Sequence, residues 1–123
     1  MEYSSEVRRR LERPSCRGVL ASAVGSASAT AEDRSLNVWV RVQVEVDGET
    51  LVAARYDAYG CPHFLAGADW IVERLAGQPA AALTEVATGD AVAALDVPTE
   101  KIGKLLVIED ALAACAAKLS VSA

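Results

Sequence analysis

No apolar run in this sequence approaches the ~20 residues that cross a bilayer, so no membrane partner is expected. The opening MEYSSEVRRRLERP lacks the apolar core of a secretory signal, and the expected location is the cytoplasm. Cysteine is sparse and odd in number, three in all, which argues against a disulfide framework and fits a reducing compartment. Positive charge is in deficit. Twelve Lys and Arg stand against 17 Asp and Glu, a net −5 with pI near 4.8, so a nucleic-acid surface is not expected. There is no internal repeat, no low-complexity tail and no linker, and residues 1–123 read as a single domain large enough for a core. What the chain does have is small apolar side chains. It is 52% hydrophobic, much of it alanine, which suits closely packed helices.

The sequence is organised around residues 51–77. Val52, Ala54, Tyr56 and Ala58 alternate with Ala53, Arg55, Asp57 and Tyr59, the period of a strand with unlike faces. Gly60 breaks the strand, and Pro62 suits a first helical position, where a missing N–H costs nothing. Phe64, Leu65, Ala68, Ile71, Val72 and Leu75 then fall on one helical face. Cys61 sits at the corner. A thiol at a helix start meets unpaired N–H groups and the positive dipole end, which favour thiolate. The residue reads as a nucleophile or metal ligand, or as a small apolar side chain filling the corner.

Before this stretch, Ser4 or Ser5 can cap a short helix that Pro14 stops after Arg13. Arg8, Arg9, Arg10 and Arg13 make that helix basic within an acidic chain, either as a solvated face or as a dock for an acidic partner. Residues 18–24 read as a first strand, and residues 25–34, GSASATAEDR, as a mobile loop. Val38, Val40, Val42, Val44 and Val46 alternate with Trp39, Arg41, Gln43 and Glu45, and Asp47-Gly48 turns this strand back into the next. Residues 79–86 and 91–95 read as short helices, and residues 100–119 as a last helix apolar on nearly all sides. Strands first and helices afterwards predict an α+β fold, a three-stranded antiparallel sheet packed against a layer of helices.

Three groups of residues in register resemble the IscU/NifU amino-terminal family of iron–sulfur cluster assembly scaffolds. Tyr3, Ser4, Val7, Pro14 and Gly18 follow the family's order at the start. Ala54, Arg55, Tyr59, Gly60 and Cys61 match its "A-R-F-x-x-Y-G-C". Lys101, Ile102, Glu109, Asp110 and Ala111 match its "K-I-H-C-S-x-L-A-E-D-A". The resemblance implies the SufE/IscU-like fold, a scaffold rather than an enzyme, iron and iron–sulfur cluster binding, and a cysteine desulfurase or another assembly protein as partner. It also implies three cysteines with a nearby His and Asp, since thiolates and imidazole are the ligands such clusters favour. Only the middle cysteine is present, as Cys61. The first aligns near Ser35, Leu36 and Asn37, with the Asp position at about Asn37, and the His-Cys pair falls on Gly103 and Lys104. The chaperone-recognition segment "L-P-P-V-K" aligns with residues 97–101, where only Pro98 and Lys101 match.

Substitute ligands are few. His63, the only histidine, projects with Gly67, Trp70 and Arg74 away from the apolar stripe and reads as a cap or surface group, with a weak claim as a metal or cluster ligand beside Cys61. Two chains could offer Cys61 and His63 twice, which makes a homodimer a candidate. Cys115 reads as core filler, and Trp70 as covered by a second helix layer or as a partner's anchor. Three functions remain open: a scaffold with reduced or altered cluster binding, a SufE-like single-cysteine persulfide acceptor, and a non-catalytic regulator of the scaffold machinery. In the second, Cys61 takes sulfur and Lys104, at a position that faces the middle cysteine in the family, steadies the thiolate.

Overall fold

The valine-rich segment becomes the central strand of the sheet. In the computed structural model, which describes residues 3–21, 25–86 and 88–119, β2 (Val38–Asp47) turns Val38, Val40, Val42 and Val44 into the core. Gly48, at φ 66, makes the turn into β3 (Thr50–Tyr59). The two strands pair antiparallel from Trp39 opposite Tyr59 to Asp47 opposite Thr50. The register slips once: Glu45 faces Ala53 and Val46 faces Leu51, so Val52 is an extra residue. This bulge reverses the alternation. Leu51 is fully buried and Val52 is 47% exposed, whereas the simple period of two groups Val52 with Ala54, Tyr56 and Ala58.

The first strand is not where the sequence puts it. β1 is Ser26–Asp33, the stretch read as a mobile loop, and it pairs antiparallel with β2 along its whole length. Residues 18–21 belong to no strand, and residues 22–24 lie outside the described residues. Small side chains conceal β1 in the sequence, because its β character comes from pairing with the valine strand and from the helix laid across it. The free edge of β3 is covered instead by residues 16–18. The Gly18 N–H donates to the Tyr56 carbonyl at 2.8 Å, and the Tyr56 N–H to the Cys16 carbonyl at 3.3 Å.

Helices cover one face of the sheet. α4 (Ile102–Lys118) packs on β1 and β2, and α2 (Pro62–Glu73) packs on β3. α1 (Ser5–Glu12) and α3 (Thr88–Leu95) lie against α2 as a further layer. The Ser4 hydroxyl caps α1 by accepting the Val7 N–H at 3.2 Å. Residues 80–84 form a short 3-10 helix in place of the expected helix over 79–86. α2 lies close to α4 at Gly67, where a Cβ would stand 2.5 Å from Leu105 Cδ2. Among the described residues, no helix is long and apolar enough to cross a membrane. The α+β class and the three-stranded antiparallel sheet are as the sequence predicts.

A buried carboxylate fastens the N-terminal arm to this frame. Asp69, on α2, is 0% exposed. Its Oδ1 accepts the Ser15 N–H at 2.9 Å, the Cys16 N–H at 3.0 Å and the Tyr56 hydroxyl at 3.1 Å. Its Oδ2 accepts Arg10 Nη1 at 2.8 Å. Burial alone would raise this carboxyl, but the hydrogen bonds from Ser15, Cys16, Arg10 and Tyr56 together hold it below the ordinary aspartate value. Arg10 also reaches Glu6 at 2.7 Å and Glu73 at 3.2 Å.

Candidate functional site

Three separated parts of the chain meet around Cys61. They enclose a shallow hollow of about 380 Å³ lined by Leu36, Asn37, Tyr59, Gly60, Cys61 and Lys104. Leu36 and Asn37 come from the turn between β1 and β2. There the Asp33 carboxylate accepts the Ser35 hydroxyl at 2.6 Å and the Leu36 N–H at 3.1 Å. These two bonds, the Ser35 one foremost, hold the Asp33 carboxyl below its usual value. Asn37 completes the turn at φ 57, a conformation asparagine tolerates. Gly60 is required at the corner, since a Cβ would lie 2.8 Å from the Phe64 ring and 3.0 Å from Val38 Cγ1. Lys104 comes from the first turn of α4.

Cys61 is the half-buried N-cap residue of α2 and makes no capping bond with its side chain. The other two thiols are buried elsewhere. Cys16 Sγ donates to the Asp69 carbonyl at 3.5 Å, and burial, reinforced by the Asp69 charge, pushes it up to about 12. Cys115 Sγ donates to the Val42 carbonyl at 3.4 Å, and burial pushes it up to about 11. Both are core groups, as the sequence suggests for Cys115.

His63 departs from its expected role as a surface group. It is 2% exposed, and its ring packs against Tyr3 with centroids 4.9 Å apart. Its Nδ1 is buried with no hydrogen-bond partner among the described residues. Burial first, then the Lys101 charge, lowers its pKa. The helical projection put His63 outside because it could not include the N-terminal arm, which covers that side of α2. His63 does not line the hollow. Ser35 and Gly103 do not line it either, while Asn37 and Lys104 do. Trp70 is half-buried, and the Arg74 guanidinium covers its ring at 3.5 Å.

A cluster of the kind the resemblance implies needs about four ligands. The rim supplies one thiol and no imidazole or carboxylate. Among the described residues, no three His, Cys, Asp or Glu side chains gather as a metal site. The residues of one chain therefore do not fit an iron–sulfur cluster. Sequence reasoning missed Asp69, Arg10 and Tyr3 as the groups that fix the arm behind the site. The available signal was an aspartate inside the apolar run Ala66, Gly67, Ala68, Trp70, Ile71.

The same α+β frame occurs in solved structures that share little sequence with this chain. One is the N-terminal part of a nitrogen-fixing NifU-like protein from Brucella abortus, with a TM-score of 0.77 at 14% identity over 98% of this chain and 95% of that one. Another is a protein of Fervidobacterium islandicum assigned as an iron–sulfur cluster assembly scaffold for the SUF system, with a TM-score of 0.74 at 14% identity over 92% and 95%. No curated protein matches the chain by sequence. The pattern of the NifU-like N terminal domain matches residues 2–121, and the chain belongs to that family.

Proposed function

We propose that this protein serves iron–sulfur cluster assembly with Cys61 as its sulfur-handling group and a cysteine desulfurase as its partner. Residues 1–123 act as one unit in this reading. Family membership and the scaffold assigned to a structural neighbour support the pathway. The observation that carries the chemistry is a hollow with one accessible thiol and one cation on its rim. The cluster is cargo for such a family, and a single chain with one rim thiol has reduced or altered capacity to hold it.

One thiol suffices for persulfide acceptance. The Cys61 thiolate attacks the outer sulfur of the donor's cysteine persulfide. The donor S–S bond breaks, the donor leaves as a thiolate, and Cys61 carries the outer sulfur as its own persulfide. No external oxidant is consumed. Lys104 is the rim cation that would offset the negative charge of the product.

The test is anaerobic incubation with a cysteine desulfurase and cysteine, followed by mass spectrometry. The expected result is a gain of one sulfur on Cys61, absent in Cys61→Ser and slower in Lys104→Met. An unmodified Cys61 beside an active desulfurase would refute sulfur acceptance and leave the regulator reading. A stoichiometric cluster on the monomer after reconstitution with iron and sulfide would instead restore a full scaffold role.

A further inference from the structure

The arginines of this chain are unevenly distributed. Five of the nine fall within residues 8–17, and residues 1–17 hold only three glutamates against them. The rest of the chain is left with a net −7, although the total is −5. α1 sorts its arginines by role. Arg10 turns inward and is 3% exposed, bound to Asp69 and Glu73 of α2. Arg9 is tied to Glu6 at 2.6 Å, and that hydrogen bond leads the effects that pull the Glu6 carboxyl down to about 2. Arg8 and Arg13 are exposed and enter no ion pair among the described residues. With Ser5, Arg9 and Glu12 they line a shallow groove of about 520 Å³ along the outer face of the helix.

We propose that this groove is a docking surface for a short acidic protein segment, rich in Asp and Glu. Arginine forks match carboxylates in two-point geometry, and two of these forks enter no ion pair among the described residues. The helix that carries them is already fixed. Arg10 bolts it to α2, and the Ser4 hydroxyl donates to the Leu95 carbonyl at 2.7 Å. Docking therefore costs little reordering of the platform. Size and charge select the class of partner. From Ser5 to Arg13 the patch is about 12 Å long, about one and a half Debye lengths of about 8 Å each in physiological salt. A short acidic segment stays within that reach. A nucleic acid or an anionic bilayer extends past it and meets the acidic remainder of the molecule.

The test uses fluorescence anisotropy with a labelled peptide of alternating Glu and Ser. The Arg8→Glu, Arg13→Glu double variant should bind at least about tenfold more weakly than the natural protein, a loss of about 1.4 kcal/mol. Arg34→Glu with Arg55→Glu carries the same net charge and should bind within about twofold of the natural protein. Helical circular dichroism checks that both variants fold, and Arg8→Gln with Arg13→Gln, which adds no negative charge, should show a smaller loss in the same direction. Equal loss in both charge-reversed proteins, no peptide binding, or tighter binding to anionic vesicles or duplex DNA than to the peptide would overturn the proposal. Cys61 takes no part in this assay, so its outcome is separate from that of sulfur transfer.

Discussion

Asp69→Asn is isosteric and removes one buried charge. Its amide must turn an NH2 toward one of two places. On the Oδ1 side it meets the N–H groups of Ser15 and Cys16 and the Tyr56 hydroxyl; on the Oδ2 side it meets Arg10. Donor faces donor either way, and Arg10, 3% exposed, loses its most buried counter-charge. Breaking a buried pair from one side costs about 3–5 kcal/mol. Glu6 and Glu73 stay with Arg10, so the lower end applies, about 3 kcal/mol. With an unfolding entropy of about 2.1 cal/mol/K per residue, a 123-residue chain should then melt about 12 °C lower. Thermal and urea unfolding followed by circular dichroism measure this directly. Acid provides a second check. The Asp69 carboxyl is depressed in the folded state, so its stabilisation is complete above the ordinary aspartate value of 3.8 and is lost as pH falls through the lower folded value. The difference between natural protein and variant should narrow over that range. A loss of under about 0.5 kcal/mol at neutral pH, the scale of an ordinary surface substitution, would refute the reasoning.

In the folded protein, iodoacetamide should modify Cys61 alone, and Cys16 and Cys115 should react only after denaturation; mass spectrometry with peptide mapping reads the result. Gly67→Ala should cost about 1–3 kcal/mol in urea unfolding, because its methyl would press on Leu105. His63→Phe should reduce the fall in stability below pH 6.5. The buried imidazole has a lowered pKa, so it is neutral and stabilising above 6.5 and costs stability as acid protonates the unfolded chain first. Anaerobic reconstitution should leave the monomer without a stable cluster, whereas Asn37→Cys with Lys104→Cys places two more thiols on the rim with Cys61 and should bind zinc in a metal titration.

The parts of the fold legible in the sequence are those with strong local signals. The valines of β2, the Asp47-Gly48 turn, the Ser4 cap and Pro62 at a helix start each act through their own backbone or near neighbours. β1 was illegible because alanine and serine say little about pairing. The bulge at Val52 was illegible because it exists only between two strands. His63 was misplaced for a similar reason, since the arm carrying Tyr3 lies 60 residues away in sequence. Cys61 could be found from the strand-to-helix corner, but Lys104 and Asn37 needed the family's register. Ser35 shows how fine that register is: one or two positions separate it from Leu36 and Asn37, yet its side chain turns to Asp33 while they line the rim.

The corner at Gly60 lies between a buried layer and an open rim. A Cβ at Gly60 would stand 2.8 Å from the Phe64 ring and 3.0 Å from Val38 Cγ1, both buried in the core between the sheet and α2. Asn37 is exposed, and Cys61 and Lys104 are half-buried at the hollow, with Cys61 also packed against the edge of the core. Exchanging a rim residue leaves the buried layer intact. A change of rim chemistry and a change of fold are thus separable events in this chain, because the two sets of side chains overlap so little.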